Sequence, residues 1–324
     1  MTIRPTRRAL LAAPALLACS AAAQPRFPER PIRLVVPFPP GGTTDVLARA
    51  IAARWAEPPL SAQTVVENRA GGAGVIGTEA VARAAPDGHT LVLGNNQTHA
   101  TNAALIPNLP YDPLAFAAVT MVARVPQALV VPAASPARDM AGLIALARAG
   151  RRLSYASSSV GSTAHIMAET FNRRAGLDAV HVPYRGAAPA VADLVAGVVD
   201  FMMATWASVS ALVAEGRLRA IGVAGPARFP DLPEVPTLSE QGFDYLAADP
   251  WFGLFAPGGT PGPILSALHA ATVRALEDGE VASRLTRAGF RLETMAPPAF
   301  QAFLAAEVPL WARLIREAGI TAAG

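Results

Sequence analysis

Short apolar runs alternate along this chain with longer segments of helical spacing. The first run, Ile32–Phe38, stops at Pro39-Pro40-Gly41-Gly42, and a helical segment, Thr44–Trp55, follows. A strand that ends at such a turn and leads into a helix is typical of α/β proteins. The same pattern predicts strands at Thr64–Glu67, Thr90–Gly94, Leu153–Ala156, Ala179–Pro183, Val199–Met203, Ala220–Ala224 and Trp251–Ala256, and helices at Val75–Ala84, Ala141–Ala149, Ser162–Ala175, Ala187–Ala196, Ser208–Glu215, Gly262–Ala275 and Pro298–Ala318.

The alternation occurs in two halves, which predicts two α/β lobes, each with a mostly parallel sheet flanked by helices. An apolar, β-rich stretch from 116 to 132 separates the halves, interrupted by Pro126. We expect Val119–Val131 and Trp251–Ala256 to be two strands that cross between the lobes. The expected division is lobe 1 at residues 24–125 plus 252–324 and lobe 2 at residues 126–251, with a ligand-binding cleft at the carboxyl ends of the strands.

The N-terminus predicts an export signal at residues 1–23. Arg4, Arg7 and Arg8 precede a short apolar stretch, Ala9–Ala18, and small residues at 21–23 form a cleavage site. This predicts a mature protein in the periplasm, and the paired arginines leave both the general secretory and the twin-arginine route open. Lipid anchoring through Cys19, the one cysteine of the chain, is the alternative, although the preceding residues fit a lipid-attachment box poorly.

Composition and charge narrow the possible function classes. Hydrophobic residues make up 52% of the 324 residues, yet no stretch after the N-terminus reaches the roughly 18 uninterrupted apolar residues of a membrane helix. The 27 basic and 24 acidic residues become 24 and 24 when the three arginines of the signal are removed, so nucleic-acid binding has no electrostatic basis. The five histidines lack paired metal-ligand spacing. We therefore expect a soluble, monomeric mature chain with no metal and no cofactor.

Two strand-to-helix loops, one in each half, carry the candidate chemistry. Gly41-Gly42 follows the first strand, and a Ser-rich loop at residues 157–163 opens a helix in the second half. Backbone N–H groups at a helix start have no partner within the helix, and the helix dipole adds positive potential, so such loops bind anions. Two of them predict a clamp for a small carboxylate. The alternative for each loop is structural, with a threonine or serine capping the helix.

Several motifs occur in order along the mature chain: Pro37–Asp45, Val66–Gly77, Pro86–Leu91, Leu109–Pro113, Tyr155–His165, His181–Gly186, Leu232–Thr237 and Gly253–Pro257. This series resembles the periplasmic solute-binding proteins of tripartite tricarboxylate transporters, the Bug-type receptors. The resemblance implies a two-lobed periplasmic binding protein, or Venus flytrap, that passes a small carboxylate to a permease of one large and one small membrane subunit. It also implies ligand contacts from one loop on each lobe: Phe38, Pro40, Gly41, Gly42, Thr43 and Asp45, and, opposite them, Ser157, Gly161, Ser162 and His165.

Neighbouring loops add further candidates for ligand binding. Asn95 could supply an amide donor or brace its own loop, and in Tyr184-Arg185-Gly186 the guanidinium of Arg185 could pair with a carboxylate or lie on the surface. Trp206 could form an apolar wall that favours an aromatic or longer ligand, or it could pack in the core. Ser159 is also a candidate, and it stands where the family usually has Gly. If that position has positive φ, Ser would carry about 1 kcal/mol of strain.

Two other functions fit parts of the sequence. A serine hydrolase could draw on Ser157–Ser162, His165 and Asp200, but the chain has no G-x-S-x-G elbow, so we do not expect an enzyme. A receptor that presents its closed form to a sensor kinase of a two-component system would have the same fold and the same site. The sequence leaves this alternative open, together with the identity of the carboxylate.

Overall fold

The computed structural model describes residues 27–225, 227–229, 232–244 and 250–321. These residues form two lobes, each with one β-sheet and helices packed against it, which confirms the predicted α/β fold class. The predicted signal peptide at residues 1–23, with Cys19, lies outside the described residues. No helix within the described ranges is both long enough and apolar enough to cross a bilayer.

The secondary structure follows the predicted alternation. The strands are β1 (Ile32–Val36), β2 (Thr64–Asn68), β3 (Thr90–Asn95), β4 (Ala117–Arg124), β5 (Gln127–Pro132), β6 (Ser154–Ser157), β7 (Val180–Pro183), β8 (Phe201–Thr205), β9 (Leu218–Val223), β10 (Trp251–Ala256) and β11 (Arg291–Leu292). The helices are α1 (Thr43–Trp55), α2 (Val75–Ala82), α3 (Asn102–Leu105), α4 (Met140–Arg148), α5 (Thr163–Ala175), α6 (Ala187–Val195), α7 (Trp206–Ala214), α8 (Gly262–Glu277), α9 (Gly279–Arg287) and α10 (Pro297–Ala318). The sequence pattern missed β11, α9, α3 and the π-helical turn Gln97–Thr101 that leads into α3.

Lobe 1 contains a six-stranded sheet in the order β11-β4-β10-β3-β1-β2. β1 pairs in parallel with β2 and β3, whereas β10 lies antiparallel between β3 and β4. Four of the six strands, β1 to β4, therefore run in the same direction. The expectation that Trp251–Ala256 crosses between the lobes is wrong, because all six of its residues pair with β4 inside this sheet.

Lobe 2 contains a five-stranded sheet in the order β7-β6-β8-β5-β9. β6 is parallel to β7 and β8, and β5 is antiparallel to β8 and β9. β4 ends in lobe 1 at Arg124 and β5 begins in lobe 2 at Gln127. The predicted crossing at Val119–Val131 is thus confirmed, with Pro126 between the two strands, where a residue without an N–H interrupts a sheet.

The C-terminal helix α10 returns to lobe 1, where Glu307 links it to the sheet. Phe300, Leu304 and Trp311 lie on the buried face of α10. Trp251 and Trp311 both donate their indole N–H groups to Glu307 Oε2, at 2.7 and 2.6 Å. Both indoles are buried, so this carboxylate satisfies two N–H groups that water does not reach.

A stack of aromatic rings lies beneath the Ser-rich loop of lobe 2. The rings of His165 and His181 stack with their centroids 3.8 Å apart, and Tyr155 stacks on His181 at 4.9 Å. His165 Nδ1 accepts a hydrogen bond from Gly161 N–H at 3.1 Å, so this nitrogen carries no proton. Burial, reinforced by the neighbouring His181, lowers the pKa of His165 to about 3. Burial also lowers the pKa of His181 to about 4, so both rings are neutral at neutral pH.

Replacing Glu307 with Leu should lower the free energy of unfolding by about 3 kcal/mol, because two buried indole N–H groups lose their acceptor. Glu307→Gln retains an acceptor oxygen and should cost only about 1 kcal/mol. Urea unfolding followed by circular dichroism measures both values. Equal losses in the two variants would show that Glu307 does not act as the indole acceptor.

The stack of His165 and His181 should make the protein less stable as the pH falls below 6.5. An unfolded histidine binds a proton near pH 6.5 but the folded His181 does so only near pH 4, so its contribution is complete above pH 6.5 and is lost between these values. Full linkage would give a difference of about 2 kcal/mol between pH 7 and pH 5. Because His181 is only half-buried and solvent screens its charge, the free energy of unfolding of His181→Asn should fall by about 1 kcal/mol less than that of the wild type over this range. Urea unfolding at both pH values provides the comparison, and identical falls would contradict the assignment of a neutral, half-buried His181.

Candidate functional site

A cavity of about 80 Å³ lies between the two lobes, at the ends of strands from both sheets. A volume of this size holds roughly five ordered waters or one small organic molecule. The wall comes from the loops after β1, β3 and β6, the first turns of three helices, and residues in or next to β5, β8 and β10. It comprises Phe38, Pro39, Pro40, Gly42, Thr43, Thr44, Asn95, Asn96, Gln97, Gln127, Ser158, Ser162, Thr163, Ala164, Gly186, Ala187, Ala188, Met202, Thr205, Pro250 and Phe252.

The helix starts at this cavity supply hydrogen-bond donors. Helices α1 and α6 begin after Gly42 and Gly186, and neither glycine can cap its helix with a side chain. Helix α5 begins after Ser162, whose hydroxyl accepts the N–H of His165 at 3.2 Å. The N–H groups of the first turns have no carbonyl partner within their own helices. Three helix dipoles therefore direct positive potential at one cavity, an arrangement that binds an anion.

Asp45 holds the loop between β1 and α1 in position. Its Oδ2 accepts from Gly41 N–H and from Arg49, both at 2.9 Å, and its Oδ1 accepts from the side chain of Asn68 at 2.9 Å. Burial raises the pKa of Asp45, but the hydrogen bonds from Arg49, Gly41 and Asn68 outweigh burial and hold that pKa below its ordinary value. Asp45 is therefore an ionised brace for Gly41, which has a φ of +79°.

The lobes meet directly through short polar side chains, in a closed arrangement. Every bond in this set is between uncharged groups: Thr43 Oγ1 to Thr205 Oγ1 at 3.2 Å, Asn96 Nδ2 to Thr163 Oγ1 at 2.8 Å, Gln97 Nε2 to Ser159 Oγ at 2.7 Å and to Val160 O at 3.0 Å, and Thr101 Oγ1 to Gly161 O at 2.9 Å. Neutral hydrogen bonds of this kind contribute about 1 kcal/mol each, net of the bonds to water that they replace.

In the Ser-rich loop, Gly161 adopts the left-handed backbone conformation and Ser159 forms a hydrogen bond to the other lobe. Gly161 has a φ of +75°, whereas Ser159 is not among the described non-glycine residues with positive φ. The strain considered for a Ser at position 159 therefore does not arise. Its hydroxyl instead bonds to Gln97 of the other lobe, so the residue that departs from the family pattern joins the lobes.

Gln127 lies on the cavity wall and is completely buried. Neither its Oε1 nor its Nε2 has a hydrogen-bond partner within the described part of the chain. The lining given above contains no charged side chain. Within the same described ranges, no group of three His, Cys, Asp or Glu side chains could hold a metal ion.

Ser157 and His181 form a serine–histidine contact outside the cavity lining. Ser157 Oγ donates to Ser159 O at 3.0 Å and lies 2.7 Å from His181 Nε2. Because the hydroxyl proton is used by the Ser159 carbonyl, the contact with His181 requires Nε2–H to donate to Ser157. Ser157 is also fully buried. This pair braces the loop and does not have the arrangement of a nucleophile and its base.

The residues predicted to bind a ligand fall into two groups. Those that line the cavity are Phe38, Pro40, Gly42, Thr43, Asn95, Ser162 and Gly186. The others lie behind this wall or in adjoining depressions: Gly41, Asp45, Ser157, Ser159, Gly161, His165, Tyr184, Arg185 and Trp206. Trp206 packs against Phe229 with ring centroids 5.3 Å apart, and the Tyr184 hydroxyl donates to Asp193 at 2.6 Å. The ligand-binding role of each predicted residue stays a prediction.

The wall residues that sequence reasoning missed lie in loops next to strands, in the first turns of helices, or on the strands β5, β8 and β10. Thr205, at the end of β8, reaches the cavity in place of its neighbour Trp206, and Asn96 and Gln97 reach across it beside the predicted Asn95. The polar run from 95 to 99 was the available signal, and Gln127 had none of its own.

Comparison with known proteins places the chain in a family. The model described as "Tripartite tricarboxylate transporter family receptor" matches residues 47–320. BugT of Bordetella pertussis strain Tohama I is 37% identical over 296 residues, which cover 90% of this chain and 90% of that protein. A UPF0065 protein from the tcbD-tcbE intergenic region of Pseudomonas sp. strain P51 is 40% identical over 297 residues, covering 90% of this chain and 87% of that protein.

Solved structures agree with this assignment over nearly the whole chain. R. palustris Rpa4515 with adipate superimposes with a TM-score of 0.87 at 35% identity, covering 91% of this chain and 99% of that one. MatC from Rhodopseudomonas palustris with bound malate gives a TM-score of 0.84 at 35% identity, covering 89% and 100%. The periplasmic binding protein BugD gives 0.86 at 32% identity, covering 91% and 99%. The chain therefore belongs to the tripartite tricarboxylate transporter receptor family.

Proposed function

We propose that this protein captures a small organic carboxylate in the cavity between its lobes and delivers it to a tripartite tricarboxylate transporter permease. The observation that carries the proposal is the convergence of the starts of α1, α5 and α6 on one cavity whose described lining is uncharged. Helix N–H groups bind a carboxylate through several hydrogen bonds. Uncharged donors also allow release, because no buried cation is left without its partner.

The ligand acts as a bridge between the lobes in this proposal. Its carboxylate accepts from first-turn N–H groups of α1 on one side and of α5 and α6 on the other, contacts that exist together only when the lobes are closed. A ligand shifts a conformational equilibrium by its differential affinity for the two states. The neutral bonds around the cavity and the packing of Ile166 of α5 against the core of lobe 1 favour closure, and the ligand adds to this preference.

The related structures support the class of ligand. Two relatives of similar fold contain malate and adipate, both small carboxylates. By extension we propose a carboxylate for this chain, without transferring either compound to it. The braced, buried Ser157 supports binding without turnover, so we propose a receptor rather than an enzyme.

The proposed location and partners follow from the family and the N-terminus. We propose export through the signal at residues 1–23, followed by action in the periplasm as a monomer that contacts the large and small permease subunits. The family model is one of transporter receptors, which favours a permease over a sensor kinase as the partner. Lipid anchoring through Cys19 is the alternative to a free periplasmic protein.

A binding screen of the mature protein tests the proposed function. Thermal-shift assays against dicarboxylates, aromatic carboxylates and amino acids should show stabilisation by at least one carboxylate, because a ligand that binds only the folded state raises its apparent stability. Isothermal titration calorimetry should then give saturable binding, with no product detected afterwards by chromatography. Stabilisation by none of these compounds, or their conversion, would contradict the proposal.

Gly161→Ala should weaken carboxylate binding about tenfold. A Cβ on Gly161 would lie 2.1 Å from Leu105 Cδ1, across the contact between the lobes, and would oppose closure. Gly176→Ala is the matched control, because Gly176 lies at the other end of α5 with a φ of +64° and has nothing within 4 Å of such a Cβ. Both variants carry similar left-handed strain and should lose similar stability, about 1 kcal/mol.

Calorimetric affinities of the two glycine variants separate closure from strain. Only Gly161→Ala should bind more weakly, and its tenfold loss of affinity corresponds to about 1.4 kcal/mol. The affinity of Gly176→Ala should remain within about twofold of the wild type. Equal affinities for the two variants would mean that closure of this contact plays no part in binding.

A further inference from the structure

We propose that Gln127 forms a second subsite in the cavity, one that selects organic acids bearing an uncharged hydrogen-bond donor, either a hydroxyl or a carboxamide. This inference rests on the proposed carboxylate-binding function and deepens it. The helix starts bind the carboxylate, and the amide of Gln127 forms hydrogen bonds to another group on the same ligand.

The backbone holds Gln127 in a fixed place at the crossing between the lobes. Gln127 begins β5 directly after Pro126, and its carbonyl accepts the N–H of Ala224 at 2.7 Å. Pro126 O accepts the N–H of Trp206 at 2.8 Å. In the antiparallel pairing of β5 with β8, Gln127 stands opposite Thr205, so the two side chains share one face of the sheet. Both residues line the cavity.

The side-chain amide of Gln127 is buried, and it forms no hydrogen bond with the described part of the protein. Its exposed fraction is 0%, and neither polar atom of the amide has a partner among the described residues. Native proteins pair the large majority of buried polar side-chain atoms. An amide kept unpaired on the wall of a ligand cavity therefore points to a partner that enters with the ligand.

The two atoms of the amide restrict the chemistry of that partner. Nε2 donates and could bond to any acceptor, including a carboxylate, but Oε1 only accepts and needs a donor. A second carboxylate has no proton to offer and would place negative charge against Oε1. In this proposal the helix starts are occupied by the first carboxylate, and the described lining contains no Arg, Lys or His to neutralise a second negative charge. It also contains no Asp or Glu to pair with a ligand ammonium. A hydroxyl or a carboxamide can donate to Oε1 and accept from Nε2 without charge.

A matched series of four-carbon acids tests the subsite. Calorimetry measures the affinity of wild type and Gln127→Leu for butyrate, its 2-, 3- and 4-hydroxy derivatives, succinamate, succinate and 4-aminobutyrate. Wild type should bind at least one hydroxy or carboxamide acid tenfold or more tighter than butyrate. In Gln127→Leu this preference should fall to within about threefold, while the affinity for butyrate stays within about threefold of wild type.

Two further variants keep the result interpretable. Gln127→Met retains the length of the side chain without the amide and should show the same loss of preference if Gln127→Leu unfolds. Gln63→Leu replaces an exposed glutamine of lobe 1 and should behave as wild type. Thermal melts establish that each variant is folded before titration.

The outcomes separate the subsite from the proposed function. A preference for hydroxy or carboxamide acids that survives in Gln127→Leu and Gln127→Met would overturn the subsite and leave carboxylate binding intact. Tightest binding of succinate or 4-aminobutyrate by wild type would overturn the requirement for an uncharged donor. Wild-type protein that binds no acid, in this series or in the wider screen, would remove the proposed function and the subsite with it.

Discussion

The site depends on donors that a helix cannot satisfy within itself. The first N–H groups of α1, α5 and α6 lie at the ends of strands from two different sheets, and the fold brings them to one cavity. Gly42 and Gly186 leave the starts of α1 and α6 without a capping side chain. Side chains around the cavity hold these helix starts in position. Asp45 holds the loop before α1, and the stacked rings of His165 and His181 support the Ser-rich loop before α5.

The hydrogen bonds that join the lobes around the cavity are individually weak. The polar contacts that join the lobes around the cavity are short and uncharged, from Thr43–Thr205 to Gln97–Ser159. Such bonds exchange for bonds to water when the lobes part, so each adds only about 1 kcal/mol to the closed form. A receptor that must both capture and release its ligand can use bonds of this strength, because the differential affinity of the ligand for the two states then shifts the equilibrium between them.

The apolar pattern predicted most strands and helices, because alternation and helical spacing are local properties of the chain. It missed α9, which starts with Gly279 after the capping residue Asp278, and the polar π-helical turn Gln97–Thr101, whose residues have no apolar periodicity. The helix-start half of the site was also predictable, since glycine and serine turns after strands are visible in sequence. Gln127 was not, because its place on the cavity wall depends on the pairing of β5 with β8, a contact between distant residues.

The central claim is that a bound carboxylate draws the two lobes together. Val65 on β2 and Val180 on β7 are exposed and lie on edge strands of the two sheets, so spin labels on Val65→Cys and Val180→Cys would report the distance between lobes. Double electron–electron resonance should show a broad or longer distance without ligand and a single shorter distance at saturation with the tightest carboxylate of the screen. A distance distribution that is the same with and without saturating ligand would contradict the account.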